Sequence, residues 1–193
     1  MPRMTVAAEQ APAVVRWRYL AVALAAIGLM GYAVAGPSIW FLNFVHVMAG
    51  LLWTGTDLFM GFVIGPVMRR LDPAARRGFI LRLMPRMLFL MPTLAIVTGT
   101  AGYFLAQRLG FLAMPFPARW WIIAALGLLG LLTVQGLGVL LPTNLLVFLE
   151  LRKPDPDGGK IARRMRRYVF VVAQQGVMQV AMIVVMARLV TGP

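Results

Sequence analysis

The sequence predicts an all-α integral membrane bundle of five transmembrane helices, and three observations lead there. Hydrophobic residues make up 61% of the 193-residue chain, more than a water-soluble core of this size requires. They are gathered into five runs, at about 19–36, 38–68, 87–106, 120–149 and 168–190, each close to or above the roughly 20 apolar residues that cross a bilayer as a helix. Basic residues mark alternate ends of those runs. Because the runs take up nearly the whole chain, residues 1–193 read as a single transmembrane domain with no room for a separate soluble one.

A formal net charge of +13 would suit nucleic acid if it covered one face, but it does not. Arg3, Arg16 and Arg18 precede the first run, six arginines from Arg69 to Arg86 lie between the second and third, and seven Lys or Arg residues from Arg152 to Arg167 lie between the fourth and fifth. Only Arg108, Arg119 and Arg188 stand at the opposite ends. Basic loops are retained in the cytoplasm. The pattern therefore predicts a cytoplasmic N-terminus and an outside C-terminus in a bacterial-type inner (cytoplasmic) membrane, with the lipid bilayer as partner and no nucleic acid.

The elements follow in order. Residues 1–15, "MPRMTVAAEQAPAVV", hold two prolines and several small or polar residues and read as a loose or interfacial tail. The first apolar run is longer than the usual apolar core of a signal peptide, so it is expected to be a retained span, closed by the tight turn "AGPS". The second could run from Ser38 to Met68, about 46 Å as a helix. Tilt, a kink near Gly65-Pro66 or extension past the bilayer must absorb the excess. Asp72-Pro73 then turns the chain into an amphipathic helical piece leading to the third span, with its arginines at headgroup level. The apolar, aromatic "LGFLAMPFPARWW" suits the interfacial belt and is expected to fold back on the outer rim. "LELRKPDPDGGKIARRMRR" has the Pro, Asp and Gly of a cytoplasmic turn. No convincing internal repeat stands out, and an odd number of spans counts against a pair of inverted three-helix repeats.

Several chemistries are excluded. There is no cysteine, hence no disulfide and no thiolate metal site. One histidine cannot make a zinc pair, and no phosphate-binding glycine loop is present. Thr54, Thr56 and Asp57 do not form a nucleophilic triad with His46, which lies three turns away.

What remains is concentrated in "NFVHVMAGLLWTGTDLF", residues 43–59, with the only histidine and an acid inside an apolar run. At 100° per residue His46, Gly50, Trp53, Asp57 and Gly61 fall along one stripe. Ionisable groups are costly in a membrane and mark function by default, and the two glycines admit a close neighbour, either a helix or a flat cofactor. His46 reads as a metal ligand or as an interhelical hydrogen-bonding residue, and Asp57 as a proton or ion site or a structural bond. They are about 16.5 Å apart along the axis, too far to touch. For a haem held by His46, depth matching brings Met30 and Met182 forward as second ligands; a homodimer sharing two His46 residues is the other route. Arg82 and Arg86, four apart, are candidates for haem propionates or a lipid phosphate, beside an ordinary topological role. Thr93, Thr98, Thr100, Gln135, Asn144, Gln174, Gln175 and Gln179 are the other polar residues within spans. Gln175, Gln179, Met182 and Met186 share a face, and interhelical hydrogen bonding is the favoured reading of that set.

The sequence His46, Ala49, Trp53, Gly55 resembles the "H-x-x-A-x-x-x-W-x-G" helix of a diffuse superfamily of small multi-span proteins. That group includes the copper-resistance D-type proteins and the HemJ-like protoporphyrinogen oxidases. The resemblance implies an axial haem b ligand at His46 and a pocket wall at Trp53. The lysine that such oxidases place at their haem site has no counterpart within the spans, since Lys153 and Lys160 lie in a loop, which argues against porphyrinogen oxidation. The copper-type relatives imply metal handling through His and Met, here Met30, Met48, Met182 and Met186. Three expectations result: a b-type haem protein passing electrons between a quinone and an outside partner or larger complex, a carrier of copper or another cation, and an accessory subunit of a membrane complex.

Overall fold

The computed structural model describes residues 17–192; the tail with Arg3 and Arg16, and Pro193, lie outside the described residues. Five helices are long and apolar enough to cross a membrane: α1 Trp17–Ala35, α2 Ile39–Arg70, α3 Pro73–Arg108, α4 Arg119–Leu151 and α5 Gly158–Thr191. The chain is an all-helical, multi-pass membrane protein whose outward faces suit contact with a bilayer, and no strand occurs among the described residues.

Each helix begins where local chemistry lets it. Ser38 Oγ accepts from Phe41 N–H (3.2 Å), Asp72 Oδ1 accepts from Ala74 and Ala75 N–H (3.0 and 2.9 Å), and Asp157 Oδ1 accepts from Lys160 N–H (2.9 Å). These bonds satisfy donors that a helix N-terminus leaves orphaned. Pro73 occupies the first turn of α3, where its missing N–H costs nothing. The amphipathic piece and the third span form one continuous helix of 36 residues, passing through Pro85 and Pro92. Thr93 Oγ1 donates to Phe89 O (2.7 Å) beside the second proline.

Helix α2 is interrupted by a π-helical turn, Met60–Ile64, immediately before Gly65-Pro66. Gly65 N–H reaches back to Met60 O, and Pro66 has no N–H to continue the ladder. Helix α4 does the same thing: Gly136–Leu140 is a π turn, Leu141 N–H bonds Gly136 O, and Pro142 follows. The two halves that follow α1 thus share a layout that the side chains do not repeat. After α1 come two hairpins of one design, each a helix broken by a π turn before a proline, a basic turn, an aspartate cap and a helix of 36 or 34 residues. Side chains conceal the likeness, because nine residues before the proline one hairpin has Asp57 and the other Thr133.

Helix α3 is central, packed along α1, α2 and the last part of α4, while α5 lies along α4 and touches α2. Leu42, Val45, Ala49 and Trp53 of α2 meet Leu94, Val97, Ala101 and Leu105 of α3 in the main core. A second cluster joins Ala106, Ile122, Ala125, Val185 and Leu189. Phe111, Leu112 and Met114 pack against it, so the connection between α3 and α4 folds back as expected.

Three arginines tie the helix ends together. Arg76 donates to Met68, Arg69 and Leu71 carbonyls at the end of α2. Arg77 reaches Leu151 O (2.9 Å) and Lys153 O (2.8 Å), tying α3 to the end of α4. Arg108 donates to the Val34 and Gly36 carbonyls at the end of α1. Each guanidinium satisfies carbonyls that a helix C-terminus cannot pair internally, where the dipole favours a cation.

Candidate functional site

His46 is seated on α3. Its Nδ1 lies 2.9 Å from Thr98 O, and because a carbonyl only accepts, Nδ1 carries the hydrogen and Nε2 is left with its lone pair. No hydrogen bond to Nε2 occurs among the described residues. The ring rests on Gly102, where a Cβ would stand 2.6 Å from Cε1 and 2.8 Å from Nδ1. Any side chain at 102 would expel the imidazole. One turn along, a Cβ at Gly50 would come within 3.4 Å of Thr98 Cγ2, so the two helices approach closely there. Thr98 Oγ1 is buried without a partner. Trp53, 6% exposed, closes the same face of α2.

Of the predicted stripe, Gly61 departs. It lies in the π turn, and a Cβ built on it would meet nothing within 4 Å, so no neighbouring helix of this chain approaches it. Met30 and Met182, from α1 and α5, both pack against the cluster containing Val45, Ala49 and Trp53. Met186 joins the second cluster, and Met48 is exposed.

Asp57 is bound by α5. Gln175 Nε2 and Gln179 Nε2 both donate to Asp57 Oδ2, at 2.9 and 2.7 Å. The glutamines are 4% and 2% exposed, whereas Gln174 is exposed. No Lys or Arg pairs with this carboxylate among the described residues. A cavity of about 60 Å³ lies alongside, lined by Asp57, Gln175, Asn144 and Tyr168 together with Trp53, α3 residues and the π turn of α4. Asn144 Nδ2 donates weakly to Tyr168 OH (3.4 Å).

On α3, Arg82 and Arg86 precede Thr98, the level of His46, by about 24 and 18 Å at 1.5 Å per residue, and Arg86 Nε donates to Tyr19 OH (3.2 Å). Among the described residues no three His, Cys, Asp or Glu converge on one metal position. Comparison with protein-family models, curated proteins and solved structures finds no match for this chain.

Proposed function

We propose that this chain is a redox protein of a bacterial-type inner membrane, N-terminus in the cytoplasm, that holds b-type haem through His46 Nε2 and exchanges electrons with a quinone and an outside partner or larger complex. The observation that carries the reading is the bond from Nδ1 to Thr98 O (2.9 Å). A metal-bound histidine almost always donates its other N–H in this way, which fixes the tautomer and strengthens the ligand. The residues present fit the group: an anchored imidazole with a free lone pair, an unpartnered Thr98 Oγ1 beside it, and the soft sulfurs of Met30 and Met182 on the adjoining cluster. When bound, haem would supply reversible one-electron exchange at iron. Thr98 orients the imidazole and Gly102 gives it room, while Trp53, buried on the same face of α2, would serve as a wall of the pocket. Met30, Met182 or His46 of a second copy would complete the ligand set.

Because His and Met together also suit copper, the second reading is copper handling at the same residues. Haem and metal content of protein purified from haem- and copper-replete cells separates them. Haem in stoichiometric amount supports the first reading, and copper without haem the second. Neither, in the intact wild-type protein, removes both and leaves the accessory-subunit role.

A further inference from the structure

The cluster at Asp57 is independent of any metal at His46, lying about 16.5 Å further along α2. A carboxylate inside a membrane bundle with no cationic partner is costly, so its surroundings must handle its charge. They do so in one direction only. Both glutamines turn N–H groups toward Oδ2, the arrangement that holds an anion; for a metal cation they would turn their carbonyls. Instead Gln175 Oε1 and Gln179 Oε1 are buried and unpartnered, and neither glutamine engages Oδ1.

The cavity beside them explains what can reach that oxygen. Its volume of about 60 Å³ is several times the roughly 10–15 Å³ that one water needs, and polar partners line it. Water there lies against Asp57, Asn144 and Tyr168, which line it, while the Gln175 and Gln179 carbonyls stay buried out of its reach. Of the lining residues only Asp57 and Tyr168 titrate. The π turn of α4 contributes Gly136 and Leu137 to the wall, and because Pro142 returns no N–H, a carbonyl of that turn lacks its helical partner.

We infer that Asp57, Gln175 and Gln179 form an exchangeable proton site within the membrane, supplied by water in the adjoining cavity. The step balances simply: a hydronium in the cavity gives its proton to Asp57 Oδ1, forming the neutral carboxyl and leaving water, and the reverse step returns the proton to water. The two amide donors hold the charged form while the proton is away. Tyr168 and Asn144 bound the water on the α4–α5 side.

Infrared difference spectroscopy of the full-length protein in lipid vesicles, titrated with pH in water and in heavy water, tests this. The expected result is one carboxyl C=O band that appears and disappears reversibly with pH, moves in heavy water, and is lost in Asp57→Asn. Gln175→Leu, which keeps the carboxyl and serves if Asp57→Asn fails to insert, should displace the midpoint of that band. A band that does not titrate, does not exchange or survives Asp57→Asn overturns the proposal, as does a midpoint unchanged by Gln175→Leu. Replacing choline by sodium at fixed pH should leave the midpoint in place; a sodium-dependent midpoint assigns the site to the metal cation and overturns it too.

Discussion

Two side chains on α2 each depend on a partner far away in sequence. His46 needs the carbonyl of Thr98 and the bare Cα of Gly102, and Asp57 needs the amides of Gln175 and Gln179. The importance of both residues is legible in the sequence, because a titratable group in an apolar run is conspicuous. Their partners are not, since pairing between helices is written in neither helix alone. One signal was available: "TGTAG", residues 98–102, is a run of small residues that lets another helix come close. Gly102→Ala tests the seat of the histidine without touching it. A Cβ 2.6 Å from Cε1 must push the ring away from Thr98, and loading of haem or copper should fall by about 10–100-fold, the range for loss of an orienting partner. Loading equal to wild type, measured by metal analysis, would show that the anchored imidazole is not the ligand.

At the scale of elements, the spans were readable because apolar length is a local property, and an irregularity near Gly65-Pro66, here a π turn, because proline lacks a donor. The π turn of α4 was not read from the sequence, although Pro142 interrupts its run as Pro66 does that of α2 and Gly136 and Gly138 lie within the turn. The basic turn before α5 carries its own pH dependence. Lys160 N–H bonds Asp157 and holds its carboxyl below the ordinary value of 3.8. A carboxyl lowered in the folded state stabilises it above that value and ceases to do so as pH falls through the folded value. Asp157→Asn keeps a capping oxygen but cannot titrate, so the melting temperature of the variant should show a shallower fall below about pH 4. Parallel melting curves for the two proteins would remove Asp157 from the acid response.

For the whole molecule, α1 is followed by two hairpins of like layout that run in the same sense. This places the basic turns of both hairpins on one side, where Arg77 ties them together through Leu151 and Lys153 carbonyls. Reporter fusions should therefore give active alkaline phosphatase at Pro193 and inactive enzyme in the 152–157 turn, which faces the cytoplasm in this account. The reverse pattern would invert the orientation drawn from the arginines. The central claim is that the anchored histidine of α2 is a ligand. Its most direct test is the visible absorption spectrum of wild-type and His46→Ala protein purified from haem-replete cells. The account predicts a Soret band in the wild type that is lost or strongly shifted in a variant that still inserts in the membrane. A wild-type Soret band left unchanged by His46→Ala would contradict it.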